Sequence, residues 1–137
     1  MIKLIKSLLA PKFLFVLALT YTIAITVGSL MRSEEIPKIG FEISDKVIHF
    51  IAYGFLLVFW FLFALTTFRN TRYIKNLLTA ALFSLVYGII IEVLQGVMVL
   101  SRQADFQDVI ANFAGITFAF LILVLLRNKI ITLKSIN

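Results

Sequence analysis

Four long apolar stretches alternate with short polar segments along the chain. They cover residues 13–31, 47–68, 74–100 and 106–126. A helix rises about 1.5 Å per residue, so each stretch is long enough to cross a hydrocarbon core about 30 Å thick. Pro11 stands just before the first stretch, where a helix can begin. The pattern predicts an all-α membrane protein whose single domain, residues 1–137, is a bundle of four transmembrane helices.

The composition agrees with a membrane protein. Hydrophobic residues make up 61% of the chain and charged residues 15%, against about 45–50% and about 25% in ordinary soluble domains. These values exclude a water-soluble globular domain of the usual kind. The chain has no cysteine, which excludes a disulfide framework and a thiolate metal site.

The first apolar stretch has a second interpretation, a cleaved signal peptide, because lysines precede it. The apolar region of a signal peptide is about 7–15 residues long and ends at a small-x-small site. Here the stretch is longer and ends at Leu30-Met31-Arg32. We therefore expect a retained transmembrane helix.

Basic residues are unevenly distributed between the polar segments. The N-terminus, the second loop and the C-terminal tail hold nine of the 13, three in each: Lys3, Lys6, Lys12, Arg69, Arg72, Lys75, Arg127, Lys129 and Lys134. Four spans put these segments on one side of the membrane, which the positive-inside rule makes cytoplasmic. All seven acidic residues fall in the other two loops or in the outer half of a helix. The pattern predicts cytoplasmic N- and C-termini and gives no reason to expect a nucleic-acid partner.

An acidic residue, Glu92, interrupts the third stretch. An ionised side chain at the centre of a span costs about 2.5–3.5 kcal/mol on insertion scales, so such residues usually face protein or water. Small residues lie in register with it at intervals of four: Ala80, Ser84, Gly88 and Gly96. Stripes of this kind mark where membrane helices approach one another. We therefore expect Glu92 to point into the bundle, with Gln95 one turn further on.

Polar residues recur at the matching ends of the second and fourth helices. On the second, Asp45, His49 and Tyr53 are spaced four apart, and Ser44 and Asp45 also occupy the position of an N-cap. On the fourth, one face carries Asp105, Asp108 and Asn112 beside the small residues Ala111, Gly115 and Ala119. Because antiparallel neighbours bring these ends to one side, the sequence predicts a single polar cluster in the outer half of the membrane. Its candidate residues are Asp45, Lys46, His49, Tyr53, Glu92, Gln95, Arg102, Asp105, Asp108 and Asn112.

Each candidate also has a purely structural interpretation. Tyr53 fits an aromatic belt at the membrane interface. Arg102 could close the third loop through an ion pair with Asp105 or Asp108. The asparagine and glutamine side chains are able to form interhelical hydrogen bonds. Their shared position at one end of the bundle nevertheless favours a common functional site.

The order and spacing of these residues resemble the VanZ-like family of small bacterial membrane proteins. Three linked motifs carry the resemblance: Asp45-Lys46-x-x-His49-x-x-x-Tyr53, Glu92-x-x-Gln95 and Arg102-x-x-Asp105-x-x-Asp108-x-x-x-Asn112-x-x-Gly115. The resemblance runs from about residue 41 to residue 120. It implies a multi-pass protein of the bacterial cytoplasmic membrane, and the family's namesake is associated with low-level resistance to the glycopeptide teicoplanin. It implies no established reaction.

Three functions fit the predicted cluster. In the first, it binds the polar or phosphorylated head group of a lipid or cell-wall precursor. Lys46 and Arg102 would contact the anion as charged donors, and other residues, His49, Glu92 and Asp108, would orient it. In the second, the protein is a membrane-embedded enzyme that uses metal-assisted or acid–base chemistry on a lipid-linked substrate. In the third, the cluster is a hydrogen-bonded plug that locks three helices, and a protein partner carries the function.

A transporter is the least favoured function, because four spans show no inverted repeat and no complete polar path. We expect membrane lipids as partners. No cofactor is predicted; a divalent metal fits the residue types, but the sequence does not require one.

Overall fold

The computed structural model describes residues 10–31, 44–68, 72–98 and 105–135. Within these ranges the regular structure is helical: α1 (Pro11–Leu30), α2 (Asp45–Thr67), α3 (Tyr73–Met98), α4 (Phe106–Leu125) and α5 (Arg127–Ser135). The first four helices are long and apolar enough to cross a membrane. They begin and end within two residues of the predicted spans. The prediction of an all-α bundle with four transmembrane helices is confirmed.

The helix ends follow from the local sequence. Pro11 occupies the first turn of α1, where its missing N–H would have no intrahelical partner anyway. Asp105 caps α4, and its carboxylate accepts a hydrogen bond from the backbone N–H of Gln107 at 2.8 Å. Ser44 precedes α2 as predicted, but its side chain makes no capping hydrogen bond, and Asp45 lies in the first turn. A negative charge there interacts favourably with the helix dipole.

α2 lies at the centre of the bundle and packs against α1, α3 and α4. Its side chains Leu56, Leu57 and Phe61 are fully buried. The contact between α2 and α4 is the most extensive. It depends on Gly115, because a Cβ at this position would overlap the backbone carbonyl of Phe50. This close approach sets the N-terminal turns of α2 and α4 beside each other and so brings their polar residues together.

α1 is attached more loosely than the other spans. Its buried residues are Leu14 and Ala18. Two hydrogen bonds tie it to α2: Trp60 Nε1 donates to Thr22 Oγ1 at 3.0 Å, and Tyr21 Oη donates to the Ala52 carbonyl at 3.1 Å. Beyond these contacts, towards the C-terminal end of α1, the two helices leave a gap between them.

The small-residue stripe of α3 faces the bundle over most of its predicted length. Ala80, Ser84, Gly88 and Glu92 are buried. The prediction was wrong for Gly96, which is exposed. Positions four apart rotate by about 40° around a helix of 3.6 residues per turn, so the stripe leaves the buried face at its end, where the buried residue is Gln95.

The outer surface of the bundle is apolar. Exposed large side chains occur on all four spans and include Val16, Ile23, Ile51, Leu78, Val86, Ile110 and Phe118. Within α2, Phe55 is 51% exposed while Phe61 is fully buried. Soluble proteins rarely expose apolar surface on this scale, so the spans are suited to contact with lipid tails. The short helix α5 follows in the basic tail, where the hydrophobic pattern predicts no element, and its Arg127 and Lys129 are exposed.

Candidate functional site

The polar candidates meet where α2 and α4 begin and α3 ends. Nine of the ten predicted residues are described, and all nine lie at this end of the bundle. Arg102 lies outside the described residues, so its predicted ion pairs and anion contact stay predictions. We call the nine residues the polar cluster: Asp45, Lys46, His49, Tyr53, Glu92, Gln95, Asp105, Asp108 and Asn112.

Lys46 joins the first turns of α2 and α4. Its Nζ lies 2.5 Å from Asp105 Oδ2 and 2.9 Å from Asp108 Oδ1. The hydrogen bond from Lys46 is the main reason that the pKa of Asp105 lies below its ordinary value, and the N–H of Gln107 adds to the effect. The sequence predicts that Lys46 contacts an anionic ligand. In the structure its ammonium contacts two carboxylates, so Lys46 is not available to such a ligand as an unshared cation.

His49 is the centre of the polar cluster. Its side chain is 6% exposed and contacts residues from all three helices. Nδ1 lies 3.1 Å from Asn112 Oδ1 and 3.3 Å from Glu92 Oε1. On the other edge of the ring, Nε2 lies 3.8 Å from Asp45 Oδ1 and 3.9 Å from Asp108 Oδ2. The imidazole is thus surrounded by acceptor oxygens on both edges.

Tyr53 lies below His49, one turn deeper in the bundle. The two rings are nearly parallel, with centroids 6.3 Å apart and an interplanar angle of 9°. Tyr53 is only 1% exposed, so its interpretation as part of an interfacial aromatic belt is wrong. The ring fits because position 88 is glycine: a Cβ at Gly88 would lie 2.8 Å from Tyr53 Cε1. The small-residue stripe of α3 therefore makes room for an aromatic side chain of α2.

Glu92 and Gln95 bring α3 into the cluster. Both are 2% exposed, and Glu92 lies six residues, roughly 9 Å, before the end of α3. Gln95 Nε2 donates to the backbone carbonyl of Ser29 at 3.1 Å. Gln95 therefore ties α3 to the end of α1, a helix on which the sequence predicts no site residue. The sequence signal for including α1 in the site is the pair of adjacent small residues, Gly28 and Ser29, near the end of its apolar span.

A groove of about 370 Å³ separates α1 from α2 and ends on the polar cluster. Its walls come mainly from apolar or small residues: Ala24, Ile25, Gly28, Ile48 and Ala52. Asp45, His49, Tyr53 and Ser29 supply its polar lining. Because Ile48 is 51% exposed and Gly28 is also exposed, the groove opens to the side of the bundle, where lipid surrounds a transmembrane helix. We call it the α1/α2 groove.

A second groove of about 380 Å³ lies between α2 and α4. Its lining is apolar throughout and includes Phe50, Ile51, Gly54, Phe118 and Ile122. The α1/α2 groove therefore differs from it in chemistry rather than in size.

The cluster offers two kinds of chemistry. His49 and the carboxylates around it are groups that can exchange protons. In addition, ligand atoms of Asp45, His49 and Asp108 all lie within 4.8 Å of one another, close enough to serve one metal ion. An imidazole and two carboxylates are a common ligand set for a divalent transition metal.

A comparison with protein families identifies the chain. The family model described as VanZ/LLP1 matches residues 7–127. This region includes α1 to α4 and all ten predicted candidate residues. No curated protein and no solved structure matches the chain. The resemblance drawn from three short motifs thus extends over most of the sequence, and the chain belongs to the VanZ/LLP1 family.

Proposed function

We propose that this VanZ/LLP1 family protein binds a membrane lipid or a lipid-linked cell-wall precursor, with the head group at the polar cluster and the chain in the α1/α2 groove. One observation carries the proposal: an apolar groove that is open to the side ends on Asp45, His49 and Tyr53. A lipid has the matching arrangement, an apolar chain that ends in a polar head group. The groove volume also falls within the range of about 300–1,000 Å³ that is typical of ligand pockets.

The charged residues support binding over a purely structural plug. Bundles of membrane helices can be held together by small residues and neutral hydrogen bonds. This cluster instead contains four carboxylates, Asp45, Glu92, Asp105 and Asp108, of which the last two contact Lys46. Ionisable groups within a span are expensive and usually mark a functional site.

We further propose that the polar cluster faces the extracytoplasmic side of the bacterial cytoplasmic membrane, with both termini in the cytoplasm. The distribution of basic residues supports this orientation. On that side the protein would meet the lipid-linked precursors that glycopeptide antibiotics bind, and we extend the proposal to teicoplanin tolerance on this ground.

The orientation can be tested directly because the chain has no cysteine. A single cysteine introduced by Phe106→Cys should react with a membrane-impermeant maleimide in intact cells, because Phe106 is 75% exposed at the polar end. Lys129→Cys, beyond the other end of α4, should react only after the membrane is permeabilised. The reverse pattern would contradict the proposed orientation.

The lipid proposal is tested by filling the groove. Gly28 has open space around the position of a Cβ, so Gly28→Leu should fold while occupying the groove, and Gly28→Ala should leave most of it open. We expect mass spectrometry of purified wild type to detect a retained lipid class that Gly28→Leu retains about tenfold less, since displacing two methylenes costs about 1.6 kcal/mol. Equal retention by all three proteins would contradict the proposal.

A second candidate function, an enzyme acting on a lipid-linked substrate, is favoured by the contact between His49 and Glu92. Their 3.3 Å separation is within reach of proton transfer. If the protein is an enzyme, incubation with its retained lipid class should yield a product of altered mass, and His49→Ala should abolish that product.

A further inference from the structure

We infer that Asp45, His49 and Asp108 bind a divalent transition-metal ion, Zn²⁺ or Mn²⁺, at the head-group end of the α1/α2 groove. One nitrogen of His49 and one carboxylate oxygen of each aspartate lie within 4.8 Å of one another. The site joins the first two turns of α2 to the first turn of α4, so the fold itself holds the three ligands together.

The orientation of His49 is that of a metal ligand. Histidines that bind metals usually donate the N–H of their other ring nitrogen to a carboxylate or carbonyl oxygen, which fixes the ring and its tautomer. Here Nδ1 has such an acceptor in Asn112 Oδ1 at 3.1 Å, and Glu92 Oε1 lies 3.3 Å from the same nitrogen. A proton on Nδ1 directs the lone pair of Nε2 at Asp45 and Asp108. Asn112 and Glu92 thus position the ligand without binding the ion.

The distances around Nε2 fit an ion better than direct hydrogen bonds. Nε2 lies 3.8 Å from Asp45 Oδ1 and 3.9 Å from Asp108 Oδ2, beyond hydrogen-bond length. With metal–ligand bonds of about 2.0–2.2 Å, two ligand atoms of one tetrahedral ion lie roughly 3.3–3.6 Å apart, so a bound ion would draw the carboxylate oxygens a few tenths of an ångström closer to Nε2. Asp45 is 46% exposed, so its side chain can rotate by the few tenths of an ångström that a shared ion requires.

The charge of Asp108 also suits a cation at the site. Its carboxylate shares the Lys46 ammonium with Asp105. Asp108 is only 7% exposed. Buried carboxylates need compensating charge, and a divalent ion at His49 would supply it on the side of Asp108 that faces away from Lys46.

The ion would also explain how this acidic cluster accepts a phosphorylated head group. Asp45 and His49 line the groove, so the coordination positions that the protein leaves open face the proposed lipid. A bare phosphate would be repelled by the carboxylates, whereas a bound ion can bridge them to it. This bridging role rests on the proposed function; the metal site itself does not.

The ligand types select the ion. Mg²⁺ and Ca²⁺ take oxygen ligands almost exclusively, whereas imidazole together with carboxylate suits Zn²⁺ and Mn²⁺. We therefore expect Zn²⁺ or Mn²⁺ to bind more tightly than Mg²⁺ or Ca²⁺.

The site is tested with the full-length protein in detergent, freed of metal by EDTA and dialysed against Zn²⁺ or Mn²⁺ alone. We expect one ion per chain by elemental mass spectrometry. Asp45→Asn should weaken binding at least about tenfold, and because Asp45 is partly exposed this variant should fold. His49→Gln should lose the ion. The matched control is Gln107→Ala, which removes an exposed polar side chain from the same turn of α4 that is not a proposed ligand, and its affinity should stay close to that of wild type.

Two results would overturn the inference: no stoichiometric binding of either ion by wild type, or equal binding by wild type and Asp45→Asn, which would assign the ion to another site. A parallel measurement of retained lipid phosphorus, with and without EDTA, separates the two proposals. Lipid retained equally with and without EDTA would overturn the bridging role, and failure of either ion to bind would overturn the metal site; both results leave the lipid proposal standing. Metal bound at the three ligands without any retained lipid would overturn the lipid proposal and leave the metal site standing.

Discussion

The two ends of the bundle bury polar side chains in different ways. At the end opposite the polar cluster, Tyr73 Oη donates to the Leu123 carbonyl at 2.6 Å and Asn76 Nδ2 donates to the Ala64 carbonyl at 3.4 Å. Both side chains are neutral, and both bond to the backbone of another helix. At the polar end, charged side chains contact one another across three helices, with His49 in their centre.

The difference separates the requirements of packing from those of function. A neutral side chain that donates to a backbone carbonyl is sufficient to join two helices. Among the described residues, the polar end has one such contact, from Gln95 to Ser29, and in addition a group of ionisable residues that packing does not need. We therefore assign the ionisable residues to ligand binding and regard Gln95, Tyr73 and Asn76 as structural.

The largest expected effect comes from removing the central histidine. His49→Ala leaves the buried carboxylates of Glu92 and Asp108 without their imidazole neighbour, and removing a hydrogen-bonding neighbour from a buried polar group costs about 1–3 kcal/mol of unfolding free energy for each group. Asn76→Ala at the other end removes one neutral hydrogen bond and should cost only about 0.5–1.5 kcal/mol. Unfolding in detergent measures both. Equal losses of unfolding free energy in the two variants would show that both ends bury polar side chains in the same way.

A smaller effect is expected from crowding the aromatic side chain below the histidine. Gly88→Ala places a methyl group against the ring of Tyr53, and overpacking of this kind typically costs about 1–3 kcal/mol. The matched control in the same helix is Gly96→Ala, at an exposed position, where alanine should stabilise α3 by about 0.5–1 kcal/mol. If Gly88→Ala were as stable as Gly96→Ala, the proposed fit between α2 and α3 would be wrong.

The smallest effect concerns acid stability. The pKa of Asp105 is lowered from 3.8 in the folded protein, chiefly by Lys46. A lowered pKa means that the pair stabilises the fold fully above the unfolded value and loses this contribution as the pH falls through the lowered one. Asp105→Asn should therefore be less stable than wild type at pH 6, with the difference shrinking below pH 3.8. If the difference in unfolding free energy between wild type and Asp105→Asn stays constant down to pH 2, the Lys46–Asp105 pair is not its origin.

Much of the architecture was predictable because it follows from one-dimensional patterns. Span length predicted both ends of all four transmembrane helices to within two residues, and intervals of three and four predicted that Glu92 and Asp108 face inwards. Spacing also put His49 and Tyr53 on the same face of α2. These features depend on a single helix and therefore leave a signal in the local sequence.

Other features depend on how helices meet, and the sequence could not supply them. Lys46, about 60 residues away along the chain, contacts both Asp105 and Asp108, and nothing in the local sequence of either segment marks this pairing. The α1/α2 groove likewise arises from the loose attachment of α1, and no pattern of residues in the sequence predicts this attachment. The interior position of Tyr53 depends on the missing side chain at Gly88 of another helix.

The central claim, that the α1/α2 groove and the polar cluster form a lipid site, is tested most directly by photo-cross-linking in native membranes. A benzophenone amino acid at Ala24 probes this groove, and the same amino acid at Ile122 probes the groove between α2 and α4, which is similar in volume but apolar. We expect Ala24 to capture one lipid class in excess of its share of the membrane, while Ile122 captures lipids in bulk proportion. Bulk proportions at both positions would contradict the central claim.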